Sequence, residues 1–408
     1  MGDPKLKKYS GYKSFQYLEP GKDYKSFKLV KQINRIEPYW VPLTESEEKR
    51  VNQLYEKCVV VAIHDHAKVL PEESSEIVEY NKLGRCATAY EGLSHSCIDA
   101  VFDNLSGGTA TITSKSGWHF EDVLYDLGMR LSDIAHQDFV VRCENIKDIL
   151  GAYKHGKVGF IPAMECATPI ENEVDRIDVL YGLGIRMMGL TFNESNMLGS
   201  GVREELDGGL TYFGQRAVER MNKIGMAIDL SHTGERTSLD AIKVSKKPVF
   251  ISHAGARGIW NSKRLKSDDV VIACAERGGL VGVVAAPSVP YSRKHPEMDI
   301  ESAMDHFEYL INLVGANHVC LGLDLFYGDH VAFHKAFRSG NILNVGQVNF
   351  DIVTGEQPPH VDYVKGMENI TEGYNNAVRW FVKHGYSDDE ISKLVGGNAL
   401  RVLKEVWF

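Results

Sequence analysis

The chain has 408 residues, 43% hydrophobic and 25% charged, with 46 basic against 55 acidic side chains and a formal net charge of −9. That composition supports a large buried core and excludes a disordered chain, and an acidic balance without a dense Lys/Arg stripe argues against a nucleic-acid or anionic-membrane surface. The polar start MGDPKLKKYSGYKSF lacks a signal-peptide core, and no apolar run approaches the roughly 20 residues of a membrane span, so a cytoplasmic protein with small-molecule partners, no nucleic acid and no membrane is expected.

Residues 1–45 are rich in Lys, Tyr and Pro with little periodicity, and read as an N-terminal extension wrapping the main domain or a neighbouring subunit. From residue 46 to 408 helical patterns alternate with short β-branched runs, the sequence form of repeated βα units and a parallel sheet. Eight strands are predicted: Cys58–His64, Gly108–Thr113, Lys157–Met164, Ile185–Phe192, Met226–Ser231, Pro248–Ser252, Leu280–Ala285 and Val319–Asp324. Eight such units predict an α/β fold, a (β/α)8 TIM barrel.

Helix grammar supports the count. The segment from Thr211 to Gly225 opens on a capping residue, carries apolar residues at helical spacing and stops at glycine, and the segment from Ser267 to Gly279 repeats the pattern. Residues 67–106 and 326–365 read as inserts after the first and eighth strands, projecting over the catalytic face. The seven cysteines, an odd number without a CxxC pair, fit reduced thiols. Cys166, beside Glu165, reads as a packing residue.

Five predicted strands end on a residue that can bind a metal. His64 and His66 lie two apart at the end of the first strand, so both can aim at one ion while Asp65 points away. Glu165 closes an otherwise apolar strand, where an unpaired buried charge would be costly. His232 and His253 each follow a strand through the same Ser-His step, and Asp324 closes the eighth strand, where a barrel enzyme holds a proton-transfer carboxylate or a further ligand. Asp229, inside its strand, reads as a supporting polar group. A lone H-x-H is more often an ordinary histidine pair, but four further ligands at equivalent places make accident a poor explanation.

These residues resemble the renal or membrane dipeptidase family of metal-dependent amidohydrolases. The resemblance covers most of residues 50–408 and is strongest in HGKVGFIPAMEC, GGLTYFGQRAVERMNKIGMAIDLSH, KPVFISHAGAR, LGLDLF and GYSDDEISKLVGGNALRVLKEV. It implies a barrel with two zinc ions sharing a carboxylate, cleaving dipeptides and related amides. By that resemblance His64 binds one metal, Glu165 bridges, His232 and His253 bind the other, Asp324 is the catalytic carboxylate and Arg264 holds the substrate's terminal carboxylate. Phe192 and Asn193 in GLTFNESN are expected to face the substrate. The resemblance also implies a homodimer or higher homo-oligomer.

Two positions depart from the family pattern. His66 stands where the family has aspartate, which removes one negative charge from a site built for two dications and predicts weaker binding of the second ion. Phe192 stands where the family has a histidine that helps stabilise the tetrahedral intermediate, and losing such a donor costs on the order of 100-fold in turnover. His95, His119 and His330 are candidate replacements for it, although surface or packing roles suit them better.

The expected reaction is attack of metal-activated water on a carbonyl carbon, with Asp324 relaying the proton and Arg264 orienting a substrate carboxylate. The expected ion is Zn, one or two per chain, with Mn, Co or Fe also compatible with these ligands. An alternative keeps the metal barrel for hydrolysis, deamination or decarboxylation of a non-peptide small molecule. A non-catalytic binding barrel ranks last, because all the ligands and the acid/base carboxylate are present together.

Overall fold

The structure is a computed structural model that describes residues 7–105, 119–287, 289–327, 332, 358–359 and 361–408. Nine parallel strands form one sheet: β1 (Val61–Asp65), β2 (Ala100–Leu105), β3 (Val140–Arg142), β4 (Val158–Met164), β5 (Met187–Gly189), β6 (Ala227–Asp229), β7 (Phe250–Ala254), β8 (Leu280–Val283) and β9 (Val319–Leu321). Eight of them run in the order β1-β2-β4-β5-β6-β7-β8-β9, and β3 pairs the start of β4. The seam closes just beyond the strand ends. Asp324 N–H donates to His64 O at 3.0 Å and His66 N–H to Leu325 O at 2.8 Å. A (β/α)8 barrel results, as expected.

Every residue of β1, β2, β4, β7 and β8 is buried, because a parallel barrel covers both faces of each strand. One apolar cluster draws on all eight barrel strands through Val61, Ile63, Phe102, Ile161, Ala163, Met187, Ala227, Phe250, Leu280 and Cys320. It continues into Val402, Leu403, Val406 and Trp407 of the C-terminal segment, whose indole donates to Arg186 O at 3.2 Å just before β5. The other face of each strand packs against the surrounding helices.

The second strand departs from expectation. The predicted run Gly108–Thr113 lies outside the described residues, and Ala100–Leu105, read above as part of an insert, pairs β1 and β4. Its polar Asp103-Asn104 step hid it, since that polarity belongs to contacts at the barrel mouth. Short β3 was not anticipated. The helix Tyr212–Ile224 is capped as predicted by Thr211, which accepts from Gly214 N–H, and ends at Gly225 with φ +80°. Ser267 precedes the helix Asp268–Glu276, but its hydroxyl makes no capping bond.

Residues 7–44 lie against the barrel's helices. Tyr12 donates to Asp133 Oδ1 at 2.8 Å, and the backbone at Tyr39 and Val41 meets Glu372 and Asn376 at 3.0 Å. Among the described residues no helix is long and apolar enough to cross a membrane.

Gly282 in β8 lets three strands converge, for a Cβ there would lie 1.9 Å from the Ser252 carbonyl oxygen of β7. That partner is backbone and cannot swing aside, and the Cys320 Sγ of β9 stands only 3.5 Å away. Gly282→Ala is expected to cost about 1–3 kcal/mol and to lower the thermal midpoint measured by calorimetry; an unchanged midpoint would show that the strands can spread.

Candidate metal centre

Two strand irregularities aim the ligands. The register of β1 against β2 slips between Ala62 and Asp65, and that of β7 against β8 between Ile251 and Ala254. Each slip spans a histidine, His64 or His253, and a bulge of this kind re-aims a side chain that strict alternation would send outward. Both rings are fully buried and lie tilted by 30° with centroids 3.5 Å apart.

Beneath them lies a polar platform. Asp229, at the end of β6, accepts from Ser231 Oγ at 2.7 Å, Ser252 N–H at 2.8 Å and Ser252 Oγ at 2.6 Å. With its proton given to Asp229, the Ser252 hydroxyl can only accept from its other neighbours, His64 Nδ1 at 3.2 Å and His253 Nδ1 at 2.8 Å. His66 Nδ1 faces the Asn104 carbonyl at 3.0 Å, and His232 Nδ1 faces Asn193 Oδ1 at 2.9 Å. His64, His232 and His253 are therefore assigned as Nδ1–H tautomers with bare Nε2 atoms, while His66 Nε2 faces the Asp324 carboxylate, to which it can only donate.

The bare nitrogens converge. His232 Nε2 and His253 Nε2 stand 3.0 Å apart, with Glu165 Oε1 at 3.2 and 3.9 Å from them. Two lone pairs at that distance repel unless a cation lies between them. His64 Nε2 is buried with no hydrogen-bond partner, and Asp324 Oδ1 sits 3.7 Å from it and 3.1 Å from His66 Nε2. Two groups of donors result, Glu165/His232/His253 and His64/His66/Asp324, and both fit a divalent ion that accepts imidazole and carboxylate ligands. Sharing between them is close: His64 and His253 also group with Asp229.

The electrostatics agree. Burial, helped by nearby cations such as Arg264, holds His64, His232 and His253 well below the usual histidine range, so they stay neutral and able to ligate. Burial, partly opposed by His66, pushes the Glu165 carboxyl up to about 7. Burial pulls His66 down, but its hydrogen bond with Asp324 and the charge of Glu165 leave it raised overall. The raised Glu165 and His66 mark places where added positive charge is welcome, and the lowered histidines keep their lone pairs free for a ligand role.

Every predicted ligand is in this centre. Asp324 holds φ +58°, a left-handed backbone that a non-glycine residue adopts at a cost of order 1–3 kcal/mol. Asp65 points away, taking Leu325 N–H at 2.8 Å and the Tyr327 hydroxyl at 2.7 Å. Arg264 is buried with Nη2 at 3.2 Å from His232 Nε2 and Nη1 at 3.4 Å from Ser231 O. Phe192 stacks on His232 at 4.5 Å. Asn193, expected to face substrate, has its amide oxygen engaged by His232. His119 caps the helix Phe120–Ile134 and lies 3.5 Å from Glu171, His95 ends the helix Tyr90–Ser94, and His330 lies outside the described residues. Cys166 is buried against Thr168, and burial pushes its thiol up to about 11, as suits a packing role.

The serine platform was not anticipated. Its signal was the repeated Ser-His step, in which each serine precedes the ligand it steadies or lies under its neighbour.

The membrane dipeptidase family model (peptidase family M19) matches residues 48–334. The chain belongs to this family. Among curated relatives of this membrane dipeptidase family member, dipeptidase tcpJ of Claviceps purpurea is 26% identical over 284 residues, covering 69% of this chain and 58% of the relative. Dipeptidase aclJ of Aspergillus oryzae is 26% identical over 273 residues, covering 66% and 57%. The chain's match thus spans under three fifths of the length of either. A solved amidohydrolase structure from Pseudomonas aeruginosa is similar at a TM-score of 0.69 and 26% identity, over 87% of this chain and 98% of that one.

One consequence for the centre can be tested directly. Asn193→Ala leaves His232 free to rotate or change tautomer, and partners of this kind are typically worth 10–100-fold in metal affinity. Zinc affinity by competition with a chromogenic chelator should fall within that span; an unchanged value would mean the ring is held by its other contacts.

Proposed function

We propose that this chain is a metal-dependent dipeptidase, hydrolysing the amide bond of small carboxylate-bearing peptides. The observation that carries the reading is the convergence of the His64, His66, His232 and His253 Nε2 atoms with Glu165 and Asp324 at the mouth of the barrel. Zinc is the proposed ion, held by Glu165, His232 and His253 and, in a second position, by His64 and His66 beside Asp324. When bound, such an ion supplies Lewis acidity and lowers the pKa of water.

The remaining steps belong to the chain. Asp324, 14% exposed at its side chain and hydrogen-bonded to His66, accepts the proton of the attacking water and passes it to the leaving nitrogen. Arg264 supplies a buried guanidinium for the substrate's carboxylate, a charge-assisted contact that a planar fork makes best. Phe192 donates no hydrogen bond and forms an apolar wall beside His232, which supports slower turnover than a donor there would give. His66 contributes no negative charge, which supports unequal affinity at the two positions.

Exposed Met197, Leu206 and Tyr212, clustered on the segment after β5, support a homo-oligomeric contact. Seven buried free cysteines support residence in a reducing, cytoplasmic compartment.

The test is mass-spectrometric scanning of a dipeptide pool with protein stripped by chelator and then reloaded with zinc. Free amino acids should appear only with the reloaded protein. Metal-loaded protein that leaves every dipeptide intact would sink the reading.

A further inference from the structure

We propose that His306 is a positioning residue: its neutral ring clamps together the loops that follow β7 and β8, and so holds Arg264 in place for the substrate carboxylate. The proposal rests on the carboxylate role given to Arg264 above.

His306 lies on the helix Ile300–Val314, which contributes no residue to the candidate ligand groups, and is fully buried. Its two nitrogens face opposite loops. Nδ1 accepts from the Ala256 N–H at 3.1 Å, and Nε2 lies 3.0 Å from the Tyr291 carbonyl. A backbone N–H can only donate and a carbonyl can only accept, so the ring is fixed as the neutral Nε2–H tautomer, opposite to His64, His232 and His253. A protonated ring would set N–H against N–H at Ala256. Burial pushes His306 down to about 4, which keeps it neutral over the working range.

The loop held at Ala256 is the one that carries Arg264. Its stem is tied by Lys266 N–H to Gly255 O at 3.0 Å and Arg257 N–H to Lys266 O at 2.8 Å. Gly255 brings this stem against the ring, since a Cβ there would stand 3.0 Å from His306 Nδ1. The partner loop is bound at the same turn of helix. Asp305 takes Ser292 Oγ, Lys294 Nζ at 3.0 Å and His295 Nδ1 at 2.8 Å, and Tyr291 closes the link by packing edge-on against Trp260 at 4.6 Å. The neighbouring residues Asp305 and His306 therefore gather both loops onto one rigid element, and Arg264 inherits its position from that grip.

The test compares a dipeptide with its C-terminal amide, using zinc-loaded wild type, His306→Phe and His306→Gln, with zinc content and deuterium uptake of residues 255–266 measured in parallel. His306→Phe should raise KM for the acid by about 10-fold or more with kcat nearly unchanged, because only substrate binding is weakened. KM for the amide should not move, so the preference for the acid collapses, and uptake in 255–266 should rise at wild-type zinc content. Glutamine, with an acceptor and a donor on one planar group, should restore part of the preference.

Retention of the wild-type preference in His306→Phe, or an equal loss on acid and amide, would overturn the proposal. Should the phenylalanine variant not fold, His306→Gln alone decides: a rise confined to the acid supports the clamp, and a uniform change overturns it. A wild type that treats acid and amide alike removes the carboxylate role of Arg264, and the clamp with it; that outcome is visible before any variant is made.

Discussion

Replacing Asp324 by asparagine is expected to lower kcat for a cleaved dipeptide by roughly 100- to 10,000-fold, the range in which a positioned acid/base group acts. The substitution keeps an oxygen 3.1 Å from His66 Nε2 and 3.7 Å from His64 Nε2, so the geometry of the pair is conserved. It removes only the ability to take up a proton. The left-handed backbone at φ +58° is tolerated by asparagine better than by most residues, so the fold should not suffer. Zinc content by mass spectrometry should therefore remain near the wild-type value at saturating metal. A variant with full activity would show that proton transfer is carried elsewhere; a variant that has lost both metal and activity would make Asp324 chiefly a ligand.

The second large effect is expected at Glu165. Its carboxylate is the anion of the Glu165/His232/His253 group, and the charges of His66 and Asp324 also act on it. Glu165→Gln keeps the shape and removes the charge. Four neutral imidazoles and one remaining carboxylate would then face the ions, and affinity should drop by roughly 100-fold or more, beyond the 10–100-fold typical when only an outer partner is lost. Turnover should vanish at limiting zinc and recover in part when zinc is raised. Isothermal titration would follow both binding events. Two undiminished events in Glu165→Gln would exclude Glu165 from the ligand set.

The candidate ligands were legible because chemistry and topology leave the same mark. An apolar run that ends on histidine or a carboxylate is a costly arrangement unless something pairs with the polar end, and parallel strands bring all such ends to one face. His64, His66, Glu165, His232, His253 and Asp324 meet for that reason. Strand β2 was not legible, because Asp103 and Asn104 break its apolar run exactly where the mouth contacts begin, and β3 is only three residues long. The bulges at His64 and His253 leave no sequence trace, since alternation alone predicts the wrong side for each. His306 was illegible for a different reason. Its partners are backbone groups of two loops, and a contact of that kind depends on the fold and on no residue type at the other end.

The seam of the barrel bears on how the site comes into being. His64 and His66 belong to the first strand, Asp324 and Leu325 follow the last, and the bonds between these residues join parts of the chain more than half its length apart. Contacts so distant carry the largest loop-closure entropy and form late in folding. The pair His66–Asp324 therefore needs the first and last strands to meet, however complete the strands between them. An unclosed barrel can gather Glu165, His232 and His253, yet it lacks Asp324 beside His66 until the ring shuts, so the hydrolytic competence proposed above would arrive together with the finished fold.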